Sequence, residues 1–346
     1  MPNEDKTSDD SGRPQTDKSV QSRGNNMHNI RLFLVLGKGG TGKTSFSIAL
    51  ALAARRQGKQ TLIVETGEAD SIGRHFNRDT LPASPVKLTS RIWGARVNPK
   101  TVLKEYIYDH IDFTFLANRI TRSRLFDHLM AATPGLKEAM TMGQIWRWEQ
   151  EHMKNGKPRF DRIVVDAPAT GHGLSLIQTP RTLIKMLHTG PVAREIRIVQ
   201  NLLTDSKKTA LILVTLPEEL PVKESLETCA AARDKLRIPV RQLIINAVYP
   251  DFFSIEDKET IQALIRDRQN NGLSETAHSM LESASLAIKR CTVQQGYINQ
   301  IHEKINLPVC EIPFFFTNNL SMDHLEDMAS ILNTPDSDTD PVMDHV

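Results

Sequence analysis

The chain has 346 residues, enough for one large α/β domain that carries a sizeable insertion. Its formal net charge of +2 is close to neutral and argues against nucleic-acid binding. Its three cysteines, Cys229, Cys291 and Cys310, lack C-x-x-C spacing, which argues against zinc or iron–sulfur sites held by cysteine pairs and fits a reducing compartment.

Two polar tails flank the predicted domain. Residues 1–28 are rich in Ser, Asp, Asn, Lys and Gln, and residues 333–346 are acidic, so we expect both to be disordered. Solvated tails without a role are the simpler interpretation, and docking segments are the alternative. The sequence shows no apolar run as long as a membrane helix and no apolar signal core, so we expect a cytoplasmic protein without membrane insertion.

Between the tails, residues 29–332 alternate short apolar runs with helical stretches. Nearly continuous apolar runs are typical of strands buried on both faces. The predicted strands are 31–36, 61–64, 162–165, 210–216, 243–248 and 308–312, with further strand-like runs at 85–88 and 93–97. This alternation predicts an α/β fold with a doubly wound, mostly parallel sheet.

The predicted strands are unevenly spaced. Roughly a hundred residues separate the second strand from the run at 162–165, and a bare crossover needs far fewer. Most of this segment, about 101–155, has a helical pattern, and we expect it to be an inserted helical subdomain. A second helical stretch is predicted over about 180–205.

A glycine-rich segment joins the first predicted strand to a predicted helix over 43–57. Its residues are Gly37, Lys38, Gly39, Gly40, Thr41, Gly42, Lys43, Thr44 and Ser45. Strand, glycine-rich loop and helix form the context of a phosphate-binding loop, in which backbone N–H groups and the helix N-terminus face the anion. Lys43 would reach the β- and γ-phosphates, and the Thr44 hydroxyl would hold Mg²⁺. The segment predicts a nucleoside triphosphate site.

A second group of polar residues follows the run at 162–165. Asp166 ends this predicted strand near the glycine-rich loop, where its carboxylate can accept a hydrogen bond from a Mg²⁺-bound water. Gly171 and Gly173 would let the backbone change course when the γ-phosphate is present. His172 either reports on that movement or is a buried structural histidine.

Three sets of residues carry a resemblance to a known family. Lys38, directly after the first loop glycine, resembles the signature lysine of the deviant phosphate loop in ATPases that dimerise around nucleotide. The segment 160–174, FDRIVVDAPATGHGL, resembles switch II of the arsenical-pump and guided-entry (tail-anchored protein targeting) ATPases, whose pattern is close to D-T-A-P-T-G-H-T-L. The segments PGLKE (134–138), LIQTP (176–180) and VTLPEELPV (214–222) extend the similarity, which covers about residues 30–332.

The resemblance implies a P-loop ATPase that binds ATP and Mg²⁺ between two subunits, as a homodimer or as a heterodimer with a paralogue. In the family, the signature lysine crosses to the partner's phosphates. Lys38 would do so here, the alternative being a surface lysine near a phosphate site. The family's adenine pocket corresponds to Asn246, whose amide offers a donor and an acceptor, and to Pro313, although Phe314 and Phe315 after it could be core residues.

The chain departs from the family in switch I. The family pattern is close to S-T-D-P-A-H-S, whereas residues 65–71 here read ETGEADS, so that the water-activating aspartate falls on Gly67. Glu65, Glu68 and Asp70 lie nearby. We expect one carboxylate to orient the attacking water, with Glu68 and Asp70 as the catalytic candidates. The alternatives are that these are loop charges, that hydrolysis is slow, or that a paralogue supplies the aspartate.

The family's other signatures are absent. No cysteine cluster of the arsenite-binding kind and no C-x-x-C pair of the eukaryotic targeting branch is recognisable, so the chain resembles a bacterial-type member. Its helical region is rich in flexible apolar side chains, which either pack as core or line a groove for a client in the closed dimer. These residues are Met130, Met140, Met142, Met153 and Met186, with Leu125, Leu129 and Trp146.

The resemblance therefore implies a cytosolic ATPase that couples ATP binding and hydrolysis to a conformational change for a hydrophobic protein client or a membrane-protein partner. A nucleotide-binding regulatory subunit with little hydrolysis is the alternative, because Gly67 lacks a side chain. A surface-acting partition ATPase of the Min/Par type is a third hypothesis. The acidic predicted helix over 321–332 argues against it, because such proteins often carry basic membrane-binding segments.

Overall fold

The structure is a computed structural model that describes residues 27–67, 70–110, 114–121, 123–187, 189–267 and 272–332. Residues 1–26 and 333–346, which make up nearly all of the two predicted tails, lie outside the described residues. No described helix is both long and apolar enough to cross a lipid bilayer.

One sheet forms the centre of the described part of the chain. Its strands are β1 (Leu32–Leu36), β2 (Thr61–Glu65), β3 (Val86–Thr89), β4 (Ile92–Arg96), β5 (Arg162–Asp166), β6 (Thr209–Thr215), β7 (Val240–Val248) and β8 (Val309–Pro313). Their order across the sheet is β3-β4-β2-β5-β1-β6-β7-β8. All neighbours pair in parallel except β3 and β4, which are antiparallel. The predicted α/β fold with a mostly parallel sheet is confirmed.

Helices connect the strands and cover the sheet. They are α1 (Lys43–Arg56), α2 (Ile72–His75), α3 (Pro99–His110), α4 (Thr114–Thr121), α5 (Arg124–Ala132), α6 (Leu136–Gln150), α7 (Thr170–Met186), α8 (Pro191–Thr204), α9 (Glu219–Ala230), α10 (Ile255–Arg266), α11 (Glu275–Lys304) and α12 (Met322–Ile331). A 3-10 turn precedes β1 at Met27–Asn29, and a π-helical turn follows α9 at Ala231–Leu236.

The helical stretch predicted over 180–205 consists of two helices, and the first begins earlier than predicted. Helix α7 starts at Thr170 and carries Pro180 in its interior. Proline cannot donate a backbone hydrogen bond, which made it a plausible helix start. Buried Leu176 and Ile177 anchor the preceding turn to the core, and this packing outweighs the lost bond.

Helices α3 to α6 lie between β4 and β5, where the insertion is predicted. They contact α7 and α8, and Leu103, Phe126 and Met130 form a small core of their own. The division into a nucleotide domain and an inserted helical subdomain stays a prediction.

The sheet is buried on both faces, which explains the continuous apolar character of its strands. Successive residues of a strand point to opposite faces. Leu34 and Val165 belong to the core on one face, whereas Phe33 and Val164 belong to the core on the other, together with α1. All five residues of β1 are buried.

The order of the strands defines where a ligand can bind. Strand β1 lies in the middle of the sheet, with β5 on one side and β6 on the other. In open α/β sheets, ligands bind outside the carboxyl ends of the strands at the point where successive connections leave in opposite directions. The glycine-rich loop follows β1 at this point.

Candidate functional site

The glycine-rich loop connects β1 to α1 and lies against two other strands. A Cβ atom on Gly37 would lie 2.1 Å from the carbonyl oxygen of Val214 on β6. Gly42 caps α1 with a φ of 87°, and a Cβ atom there would lie 2.2 Å from Nδ2 of Asn246 on β7. Close approach to the backbone therefore requires glycine at Gly37, and the left-handed backbone conformation favours it at Gly42.

Lys43 is folded back onto the loop. Its ammonium donates to the carbonyl oxygen of Lys38 at 2.9 Å, and the Thr41 hydroxyl donates to the same oxygen at 2.9 Å. Burial lowers the pKa of Lys43, and the negative charge of Asp166 partly opposes this effect. The loop thus holds a cation at the helix N-terminus, an arrangement suited to a phosphate group.

Thr44 and Asp166 bring a hydroxyl and a carboxylate together. The Thr44 hydroxyl donates to Oδ2 of Asp166 at 2.7 Å, and the Ser47 hydroxyl lies 3.5 Å from Oδ1. Burial raises the pKa of Asp166 to about 6, although the Thr44 hydrogen bond and the charge of Lys43 act in the opposite direction. Hydroxyl and carboxylate oxygens are the ligands that Mg²⁺ prefers, so these two residues fit the metal.

Lys38 contacts its own chain. Its Nζ lies 2.9 Å from Oε1 of Glu224 on α9, and the two side chains are 31% and 35% exposed. The Lys38 side chain therefore extends from the loop toward α9. A partly exposed ion pair of this kind typically contributes about 0–1 kcal/mol, so it can be exchanged for another partner at little cost.

The predicted adenine residues lie near the carboxyl ends of two neighbouring strands, β7 and β8. The Asn246 amide nitrogen donates to the carbonyl oxygen of Thr41 at 2.9 Å, which joins β7 to the loop. Pro313 ends β8 and pairs in register with Val248 of β7.

The two phenylalanines after Pro313 make packing contacts. Phe314 stacks on Tyr249 with ring centroids 4.3 Å apart, and Phe315 packs against the core that contains α1.

The switch I segment follows β2. The Thr66 hydroxyl donates to the backbone carbonyl of Asp166 at 2.8 Å. Asp70 pairs with Arg96, which also donates to the carbonyl oxygen of Gly67 at 3.0 Å. Glu68 lies outside the described residues. A Cβ atom on Gly67 would meet no atom of the described residues within 4 Å, so no contact among them requires a glycine there.

Glu65 is a residue near the site that the sequence analysis did not single out. It ends β2, pairs in register with Asp166 on β5, and is 2% exposed. Sequence reasoning named it only as one of three nearby carboxylates. The signal that could have selected it is its position directly after the strand predicted over 61–64, since parallel strands end at the same edge of a sheet.

The switch II glycines lie in the first turn of α7. This helix begins at Thr170 after Ala169, and the backbone N–H of Gly173 donates to the carbonyl oxygen of Ala169 at 3.0 Å. The side chain of His172 is outside the described part of the structure. A change of course in this segment upon nucleotide binding stays a prediction.

The methionines of the helical region divide into buried and exposed groups. Met130 and Met142 are core residues, whereas Met153 and Met186 are 41% and 69% exposed. Met140 and Trp146 line an apolar cavity of about 230 Å³ between α3, α6, α7 and α8. The side chains of Leu125 and Leu129 lie outside the described residues.

A wider cleft of about 930 Å³ lies beside the switch segments. Its lining includes Gly67, Arg96, Lys100, Lys137 and Pro168. Gly67 lines this cleft, which extends from the two switch segments to the helical region at Met130 and Thr141.

Comparison with known proteins shows the family. The sequence model of the family described as Anion-transporting ATPase matches residues 30–190 and 190–275. The chain belongs to this family, and the resemblance to arsenical-pump and guided-entry ATPases is confirmed.

Individual relatives agree with this assignment. The chain is 31% identical to ATPase BagA of Mycobacterium tuberculosis over 233 residues, which cover 66% of this chain and 68% of the relative. It is 26% identical to ATPase GET3B of Arabidopsis thaliana over 299 residues, with 70% and 72% covered. It is 24% identical to ATPase GET3 of Kluyveromyces lactis over 319 residues, with 84% and 87% covered.

Proposed function

We propose that the chain is an ATP-dependent, dimeric ATPase that couples ATP binding and hydrolysis to a conformational change for a partner or cargo. The observation that carries this proposal is the convergence of Lys43, Thr44 and Asp166 at the carboxyl edge of β1 and β5. Membership in an ATPase family supports the reaction class.

Each residue of the site has a role in this proposal. The N–H groups from Gly37 to Thr44 and the Lys43 ammonium bind the phosphates, and Asn246 and Pro313 border the adenine. Thr44 and Asp166 hold Mg²⁺, which when bound neutralises charge on the β- and γ-phosphates. Asp70, and Glu68 beyond the described residues, stay candidates for positioning the attacking water.

Dimerisation is proposed to place nucleotide between two subunits. Lys38 then leaves Glu224 and reaches the partner's phosphates, where its charge stabilises the charge that develops during hydrolysis. The second subunit is another copy or a paralogue. ATP can shift the equilibrium toward the closed dimer only by the difference between its binding free energies for the closed and the open states.

We propose that the helical region binds the client or partner protein. The cavity lined by Met140 and Trp146 is apolar, and it lies between helices that contact the switch II helix α7. A hydrophobic protein client or a membrane-protein partner suits this surface. We propose no role for nucleic acid or membrane insertion, and a cytoplasmic location stays a prediction.

A second candidate function is a nucleotide-binding regulatory subunit with little hydrolysis, paired with a competent paralogue. Gly67 favours it, because the family's water-activating aspartate falls on a residue without a side chain. Loss of a positioned base typically lowers the rate by a factor of about 10²–10⁴.

The test is ATP hydrolysis and oligomeric state of the purified chain with Mg²⁺. Phosphate release that is lost in Lys43→Ala and Lys38→Ala, together with an ATP-induced dimer in sedimentation, supports the enzyme. Lys207→Ala, an exposed lysine before β6, is the matched control and should behave like the unmodified chain. ATP binding with equal, near-zero hydrolysis in all variants supports the regulatory subunit, and absence of ATP binding refutes both.

A further inference from the structure

Glu65 shares one face of the sheet with Asp166. The two residues are in register on adjacent parallel strands, β2 and β5. Ile63 and Val164, two positions earlier on each strand, both belong to the core that contains α1. Because every second residue of a strand points to the same face, both carboxylates lie on the α1 side, where Asp166 contacts Thr44.

One oxygen of the Glu65 carboxylate is fully engaged. Oε1 accepts hydrogen bonds from the backbone N–H groups of Ser71 at 2.7 Å and Ile72 at 3.1 Å, and from the Ser71 hydroxyl at 3.0 Å. These bonds tie the end of β2 to the start of α2 and fix the orientation of the carboxylate.

The other oxygen has no hydrogen-bond partner among the described residues. Oε2 is buried, and the whole residue is only 2% exposed. A buried polar atom without a partner costs about 1–3 kcal/mol, and two neighbouring carboxylates repel each other. A cation between Glu65 and Asp166 would relieve both penalties.

The sequence of switch I supports the same conclusion. The family pattern S-T-D has a neutral residue at the first position and a carboxylate at the third, whereas this chain has Glu65-Thr66-Gly67. Both patterns contain one carboxylate, but the family has it in the loop, whereas this chain has it at the buried end of β2. Asp70, the other described carboxylate of the segment, is engaged by Arg96.

We propose that Glu65 is a second carboxylate of the Mg²⁺ site and acts with Asp166 on the metal and its water shell. This inference rests on the proposed function and deepens it. Glu65 is a positioning residue for the metal, whereas the aspartate expected at Gly67 would act on the attacking water.

The test measures metal binding with Mn²⁺ as the probe. Free Mn²⁺ is followed by electron paramagnetic resonance in the presence of protein and ADP. Glu65→Gln keeps an oxygen that can accept the three hydrogen bonds and removes the charge. We expect Mn²⁺ affinity to fall about 10-fold or more, as for other residues that support a metal site, while ADP affinity in EDTA is unchanged.

Two further variants separate this role from a structural one. Glu65→Asp keeps the charge on a shorter side chain, and its Mn²⁺ affinity should lie between those of the unmodified chain and Glu65→Gln. Asp161→Asn is the matched control, because Oδ2 of Asp161 also accepts a backbone hydrogen bond, from Gln60 at 2.7 Å, at the other end of β5. A purely structural Glu65 would lower the melting temperature without changing Mn²⁺ affinity.

The outcomes distinguish this inference from the proposed function. Normal Mn²⁺ affinity in Glu65→Gln, or equal losses in Glu65→Gln and Glu65→Asp, overturns the role of Glu65 and leaves the nucleotide site intact. If the unmodified chain binds neither ADP nor Mn²⁺ with ADP, the proposed function fails as well. If Glu65→Gln does not fold, the Mn²⁺ affinity of Glu65→Asp is compared with that of Asp161→Asn. An affinity of Glu65→Asp equal to that of the control overturns the role of Glu65, and a lower affinity supports it.

Discussion

Replacement of Asp166 by Asn should stabilise the protein in the absence of nucleotide and metal. Asp166 is buried beside Glu65, and burial is the main reason why its pKa is raised from 3.8 to about 6. One pH unit corresponds to 1.36 kcal/mol, so ionisation of Asp166 costs the folded state about 3 kcal/mol. Asn has nearly the same shape and no charge to desolvate.

The sign of the pH dependence follows from linkage. Well below pH 3.8, Asp166 is protonated in both the folded and the unfolded chain and costs nothing. As the pH rises toward and through 6, the unfolded chain ionises first, so the unmodified protein loses stability. Asp166→Asn lacks this loss. Its free energy of unfolding should exceed that of the unmodified protein by less than about 1 kcal/mol at pH 4 and by about 3 kcal/mol at pH 8.

The assay is urea unfolding between pH 4 and pH 8 without nucleotide or metal. Asp161→Asn, a change of an exposed carboxylate just before the same strand, is the matched control. ATP with Mg²⁺ at 1,000 times its Kd should reverse the ranking at pH 8, because it stabilises the unmodified protein by about 4.1 kcal/mol and the variant much less. A less stable Asp166→Asn at pH 8, or a difference that does not vary with pH, would refute the reasoning.

Two further predictions concern Lys38 and switch I. Glu224→Gln removes the partner of Lys38 within the chain, so the protein concentration needed for the ATP-dependent dimer should fall by up to about fivefold for each released lysine. Glu227→Gln on the same helix is the control and should leave this concentration unchanged. Sedimentation measures dimerisation of both variants, and equal dimerisation contradicts the release of Lys38. Gly67→Asp should raise kcat by up to about 10²-fold, because it restores the family's carboxylate and its Cβ atom would meet no described residue within 4 Å. Phosphate release measures kcat, with Gly296→Asp as the control, and an unchanged kcat shows that a missing carboxylate does not limit turnover.

Most of the sheet could be predicted from the sequence. Strands such as β1 and β6 are buried on both faces, and such strands are continuous apolar runs that are visible in any short window of sequence. The start of α7 could not be predicted this way. Pro180 resembles a helix start locally, and only packing of Leu176 and Ile177 against the core shows that the helix continues through it.

The glycine-rich loop and the identity of the family could be recognised from the sequence itself, because both depend on residues that are neighbours in the chain. Only the tertiary structure decided which distant residues meet. Thr44 contacts Asp166 across 122 positions, and Asn246 contacts Thr41 across 205. Glu65 lies beside Asp166 because β2 pairs with β5, and the order of strands in a sheet depends on packing of the whole chain rather than on any local pattern.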